Sequence, residues 1–177
     1  RCYLEGTPHG LMDVLGIHST EIGCLYDWEE NPFVPVEGNE LGLDQTYTCK
    51  YLCDLVELRG AKSMMTYGKD FYAGYAALTV NEYGKGHSVY FAGLPYSPQN
   101  CRILLRAIYY AAGMENEMKR YYVTNVDTEV TVFQKSKKIA VINNSSEAQY
   151  TEVYINGNCV YKLDMEPGEM RWVDDVE

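Results

Sequence analysis

Residues 93–100 read GLPYSPQN, between an alternating apolar run (HSVYFAG, 87–93) and a strongly helical stretch. Strand, glycine, short loop and helix is a common setting for anion sites, because free amides and a helix N-terminus favour negative charge. This loop lacks the several glycines that let a backbone wrap a phosphate. Pro95 and Pro98 each remove an amide donor, and a cap by Ser97 satisfies part of the helix terminus. A structural turn is therefore the expectation. GKG at 84–86 lies between two strand-like arms, whereas a phosphate loop needs GxxxxGK[ST] between a strand and a helix, so it is read as a hairpin turn.

Nucleophilic chemistry finds little support. Neither GxSxG nor a GxCxG elbow is present. Cys24, in IGCLYDW, precedes no helical pattern, and Cys101 belongs to an apolar stripe. His9, His18 and His87 are far apart in sequence and outside any HExxH-type spacing, so each is read as a surface or capping residue. Asp27, Glu29, Glu30, Asp70 and Glu82 are the carboxylates that would have to pair in space to act as glycosidase acids do, and spacing alone does not pair them. Asn143-Asn144-Ser145-Ser146 holds overlapping glycosylation sequons, read as turn residues in a cytoplasmic protein. The 17 tyrosines, with Trp28 and Trp172, suit either sugar stacking or β-rich cores and interfaces. From the residues alone, no catalytic, metal or cofactor site is assigned.

The bulk properties narrow the partners. The 177 residues carry a net charge of −10, which disfavours nucleic acid and anionic membrane. Lys135, Lys137 and Lys138 form a short basic run, read as a solvated hairpin tip. No apolar run approaches the roughly 20 residues of a membrane span. The start, RCYLEGTPHG, has neither signal-peptide order nor an initiator Met, which suits a processed chain, an excised domain or the tail of something longer. Six scattered cysteines suggest free thiols in a cytoplasmic protein. Cys49 and Cys53, four apart on one face of a regular strand, would lie roughly 13 Å apart, too far for a disulfide.

The elements follow from the patterns. TPHGLMDVLG (7–16) reads as a short helix capped by Thr7, with Pro8 in its first turn and Gly16 at its end. Residues 17–46 show no clear periodicity and read mostly as loop. TYTCKYLCDLVEL (46–58) and AKSMMTYG (61–68) read as strands, and residues 75–93 as a hairpin around NEYGKG. The helix after Ser97-Pro98 carries Cys101, Leu104, Leu105, Ile108 and Ala112 as one apolar stripe, expected to pack on a sheet, with Gly113 at its end. After about residue 120 the period becomes two. Five short strands, TEVTVFQ, KIAVINN, YTEVYING, CVYKLDM and GEMRWV, form an antiparallel, sandwich-like unit with an Asn156-Gly157 hairpin. Residues 1–122 and 123–177 are the expected domains.

VNEYGKGHSVYFAGLPYSPQNCRILLRAIYYAAG (80–113) and AVINNSSEAQYTEVYINGNCVYKLDMEPGEMRWV (140–173) resemble the C-terminal part of the 1,3-β-galactosyl-N-acetylhexosamine phosphorylases (galacto-N-biose/lacto-N-biose phosphorylases, glycoside hydrolase family 112). The matching order is NEYGKG, GLPYS, the RxLLRAI helix, INN, T-x-V-Y and a final acidic-to-Trp strand. GLMDVLGI and Glu21-Ile22-Gly23 match more loosely. The resemblance implies that residues 1–122 are the second half of an α/β, glutamine-amidotransferase-like or flavodoxin-like domain, followed by a small β-sandwich. It implies a missing N-terminal TIM-like barrel that holds the catalytic acid and phosphate ligands, so no site residue transfers to this chain. The whole enzyme would be a homo-oligomer cleaving a β-galactosyl disaccharide with inorganic phosphate to α-galactose 1-phosphate, with no metal or organic cofactor. The segment itself would be non-catalytic, serving assembly and barrel support. The alternative is a stand-alone carbohydrate-binding or interaction module with a tyrosine-rich surface.

Overall fold

A computed structural model describes residues 7–26, 29–43, 46–94 and 101–175. The chain divides into two compact units, Arg1–Gly113 and Met114–Glu177. Both are built mainly from antiparallel strands, with few helices.

In the first unit, α1 (Met12–Leu15) leads into β1 (Ile17–Cys24), β2 (Asn31–Pro35), β3 (Tyr47–Leu58) and β4 (Lys62–Tyr67). β5 (Ala76–Tyr83), β6 (Gly86–Phe91), β7 (Gly93–Leu94) and α2 (Cys101–Ala111) complete it. The sheet runs β1-β3-β2-β4-β5-β6, with β7 on β3, and each of these pairings is antiparallel. The alternating segments 46–58, 61–68 and 75–93 become β3, β4 and the β5–β6 hairpin, and Gly84 takes φ 62 in its turn. Ile17, Phe33, Met65, Tyr67, Leu78 and Ile103 are fully buried at its centre, each contributing about 1.5–3 kcal/mol.

The stretch 17–46 contains β1 and β2 instead of mostly loop. A register shift between Ser19 and Glu21 breaks the period of two in β1, and β2 (NPFVP) carries two prolines, each lacking a ladder donor. Long-range pairing to β3 and β4 outweighs those local signals.

The first helix is a single turn, and Thr7 does not cap it. Thr7 pairs with Ser19 instead, its carbonyl accepting the Ser19 amide at 2.7 Å. Gly16 does end the helix, at φ 64, where a Cβ would lie 2.7 Å from the Ala61 amide nitrogen.

The apolar stripe expected to pack on the sheet is not the buried face of α2. Its buried face is Ile103, Ala107 and Tyr110, while Leu104, Leu105 and Ile108 are 39%, 50% and 65% exposed. The two rows are adjacent on the helix, so periodicity identifies an amphipathic helix without saying which apolar edge this sheet covers. The GLPYSPQN cap itself, Pro95 to Asn100, lies outside the described residues, as does the Cys101 side chain.

In the second unit, α3 (Glu115–Arg120) precedes β8 (Tyr121–Val123), β9 (Thr128–Phe133), β10 (Lys138–Asn143), β11 (Gln149–Ile155), β12 (Asn158–Met165) and β13 (Met170–Asp174). They form two three-stranded sheets, β13-β10-β9 and β12-β11-β8. Ile139 and Val141 from one sheet and Val153, Ile155 and Met165 from the other share one apolar core. The five alternating segments become β9 to β13. Asn156 and Gly157 take φ 48 and 80, as a two-residue hairpin turn with positive φ at both positions requires.

Candidate functional site

In the first unit, a cleft of about 230 Å³ is lined by Glu40, Lys62, Asn81, Glu82 and Tyr110. The inward row of α2 delivers Tyr110, whose hydroxyl donates to Glu40 Oε2 at 3.0 Å. Lys62, at the start of β4, donates to the other oxygen of Glu40. The lysine first, then the phenol, hold the Glu40 carboxyl below its ordinary range. Arg106, one turn before Tyr110, donates to the carbonyl of Gly42 and so ties α2 to the same loop. A carboxylate held ionised in this way accepts hydrogen bonds from hydroxyl-rich ligands. It is poorly suited to act as a general acid, which needs a raised pKa.

Beneath the sheet surface, Asp54 is 2% exposed. Ser19 Oγ donates to its Oδ1 and Tyr90 OH to its Oδ2, each at 2.5 Å, which ties β1, β3 and β6 together. Burial first, then the Asp54 hydrogen bond, push the Tyr90 phenol up. This cluster reads as an internal brace, because buried polar groups of this kind must be satisfied from within the fold.

In the second unit, β11 alternates strictly. Thr151, Val153 and Ile155 are buried, and Tyr150, Glu152 and Tyr154 face outward. Tyr122 of β8 pairs with Tyr154, and their rings stack at 4.8 Å with planes 10° apart. Glu152 accepts the hydroxyls of Tyr150 and Tyr154, each at 3.0 Å, and lies 3.0 Å from Lys162 Nζ. Lys162, then the two phenols, lower the Glu152 carboxyl. The result is an aromatic ledge with fixed acceptors. A separate open groove of about 410 Å³ is lined by Arg120, Tyr121, Gln134, Lys137 and Asp175.

The sequence candidates scatter across these features. His9 sits in the turn after Thr7. His18 Nδ1 is 3.5 Å from Glu57 Oε2 across β1–β3, and His87 stands edge-on to Tyr110 at 5.1 Å. Glu29 accepts the Tyr26 amide, Glu30 pairs with Lys50, and Asp70 opens a short turn at φ 58. Only Glu82 lines the cleft, while Asp27 and Trp28 lie outside the described residues. Trp172 is half exposed and packs at 5.1 Å on Phe133. Lys135, Lys137 and Lys138 are exposed at the β9–β10 turn. Among the described residues, no group of three or more His, Cys, Asp or Glu is placed to hold a metal ion.

Sequence reading missed Glu40, Asp54 and Asn143. Asn143 is no plain turn residue. It is 1% exposed, donates to the carbonyls of Glu147, Met165 and Glu166, and accepts from Ser145. No local signal marked Glu40 or Asp54, because their partners lie 22 to 70 residues away.

Residues 1–115 match the family model of the β-galactosidase trimerisation domain. The chain belongs to that family. Behind the trimerisation-domain match, residues 121–173 match the lacto-N-biose phosphorylase C-terminal domain. A 1,3-β-galactosyl-N-acetylhexosamine phosphorylase of Lachnoclostridium phytofermentans is 33% identical over 99% of this chain, which covers 24% of that protein. A second from the same organism is 39% identical, with 96% and 23% covered. A β-galactosidase of Clostridium perfringens is 31% identical, with 86% and 22% covered. Among solved structures, a cold-adapted β-galactosidase from Rahnella sp. R3 superposes with TM-score 0.61 at 31% identity, over 97% of this chain and 26% of its own. This trimerisation-domain chain thus spans about a quarter of the curated relatives it matches, and its likeness to the C-terminal part of the phosphorylases holds.

Proposed function

We propose that this chain is the non-catalytic C-terminal segment of a phosphorylase. The parent enzyme would cleave β-1,3-galactosyl-N-acetylhexosamine with phosphate to α-galactose 1-phosphate and the free acceptor sugar. The observation that carries this reading is the tandem of matches, trimerisation domain then lacto-N-biose phosphorylase C-terminal domain, along nearly the whole chain. The catalytic acid and phosphate ligands would then belong to a barrel in the remaining three quarters of the protein, and the segment would support that barrel and a homo-oligomeric assembly. Free thiols at Cys24, Cys49, Cys53 and Cys159 favour a reducing, cytoplasmic setting.

The exposed row on α2 supports the incomplete-domain part of this proposal. Leu104, Leu105 and Ile108 give an apolar edge that this unit's own sheet leaves uncovered. The first half of the same amidotransferase-like α/β domain would cover it. The proposed division into residues 1–122 and 123–177 draws support from family matches that end at residue 115 and resume at 121, while the compact units part earlier, after Gly113.

Full-length protein incubated with lacto-N-biose tests the activity. The expected product is α-galactose 1-phosphate, formed only when inorganic phosphate is present. Release of free galactose at the same rate without phosphate would assign a hydrolase instead.

A second reading, a carbohydrate-binding module, is favoured by the ledge of Tyr122, Tyr150, Tyr154 and Glu152. It predicts saturable galactose or lacto-N-biose binding by the 177-residue chain, lost in Tyr154→Ala. Calorimetry without heat at millimolar sugar would reject it.

A further inference from the structure

Cys49 and Cys53 are both fully buried, and their sulfurs stand 3.6 Å apart. This overturns the expectation from a regular strand, in which they would be roughly 13 Å apart. The cause lies in β3 itself. Its first part pairs with β2, with Cys49 opposite Asn31, and its later part pairs with β1, with Cys53 opposite Gly23. Between them Tyr51 takes φ 68, a conformation that a bulky residue adopts only under tertiary constraint. The β3–β7 register shifts over the same residues, between Lys50 and Cys53. The kink folds two same-face thiols back onto each other.

The surroundings keep room for both sulfurs. Gly93 of β7 lies against the pair, and a Cβ there would meet Cys49 Sγ at 3.1 Å and Phe33 Cζ at 3.0 Å. The two sulfurs share a hydrogen bond, which raises the Cys49 thiol and, together with a hydrogen bond from Tyr67, lowers that of Cys53. The 3.6 Å separation lets either sulfur attack the other, and the hydrogen bonds favour Cys53 as the thiol that reacts first.

We propose that Cys49 and Cys53 form a peroxide-oxidisable dithiol that closes to an intrachain disulfide at the kink of β3. The oxidant is a peroxide small enough to reach a buried site, with hydrogen peroxide as the simplest. Cys53 Sγ attacks one peroxide oxygen, the O–O bond breaks, and the products are a Cys53 sulfenic acid and water. Cys49 Sγ then attacks Cys53 Sγ, the S–O bond breaks, and hydroxide leaves with the Cys49 proton as a second water. In sum, two thiols and one peroxide give one disulfide and two waters. A thiol reductant reverses it.

The test uses full-length protein treated with hydrogen peroxide, then denatured, alkylated and digested without reductant. The expected product is a peptide in which Cys49 and Cys53 are joined, lighter by two hydrogens and restored to two alkylatable thiols by dithiothreitol. Trapping with dimedone adds an independent readout. The Cys53 sulfenic acid should be captured in a Cys49→Ser variant and barely in the unaltered protein, where Cys49 resolves it. Recovery of both residues as thiols while exposed Cys24 and Cys159 oxidise would overturn the proposal. So would dimedone labelling of Cys53 that is equal with and without Cys49.

Discussion

The two units solve the same problem in different ways. The Met114–Glu177 unit satisfies its buried polar groups with neutral partners. Thr128 and Thr151 share a hydrogen bond at 2.9 Å, and Asn143 latches the turn that follows β10. Its apolar core draws on both of its sheets, mostly on β8, β11 and β12. The Arg1–Gly113 unit instead buries a carboxyl group, Asp54, and bends its longest strand at Tyr51. It also leaves an apolar helix edge uncovered. The first arrangement suits a small module that closes on itself. The second leaves Leu104, Leu105 and Ile108 open on one helix edge.

The largest expected effect separates the two edges of α2. Ile103→Ala should cost about 3 kcal/mol, because a buried methyl cluster is removed and a cavity left. Leu105→Ala should change stability by less than about 0.5 kcal/mol in the 177-residue chain. Urea denaturation of both variants checks this, and equal losses would return the buried face to Leu104, Leu105 and Ile108. In full-length protein, where the proposed first half of the domain would cover that edge, Leu105→Ala should become destabilising as well.

The next effect addresses the two polar braces. Asn143→Ala should destabilise the second unit by about 2–3 kcal/mol, because several buried carbonyls lose their donor together. Tyr90→Phe should cost the first unit about 1.5 kcal/mol through the lost Asp54 hydrogen bond. A Tyr90→Phe loss exceeding that of Asn143→Ala would reverse the contrast drawn between the units.

The smallest effect is electrostatic. The Glu40 carboxyl is held below its ordinary value of 4.5 by Lys62 and Tyr110. Its contribution is therefore present above that value and is lost as pH falls through the lower folded value. Glu40→Gln should lower stability slightly at neutral pH, by little because the ion pair is largely exposed, and leave it unchanged at low pH, which flattens the acid limb. Denaturation midpoints collected between pH 3 and 7, as an order-of-magnitude window around carboxylate titration, make the comparison.

Sequence was most informative where local rules act alone. The strands β11 and β13 follow simple alternation, and Asn156-Gly157 fixes one hairpin by its φ preference. It was least informative where distant partners decide. β2 survives its prolines because β3 and β4 flank it, and Thr7 abandons its cap for Ser19. The Glu40 cleft and the Asp54 brace draw on partners far along the chain, so no spacing rule could assemble them. Cys49 and Cys53 show the same limit. A period of two is a statement about regular strands, and Tyr51 makes this one irregular.

The proposed non-catalytic role places the reaction outside these residues. The direct measurement is phosphorolysis of lacto-N-biose by the 177-residue chain beside the full-length protein, with α-galactose 1-phosphate as the readout. The expected result is turnover by the full-length protein and none by the segment at any concentration tested. Phosphate-dependent turnover by the segment alone would contradict it.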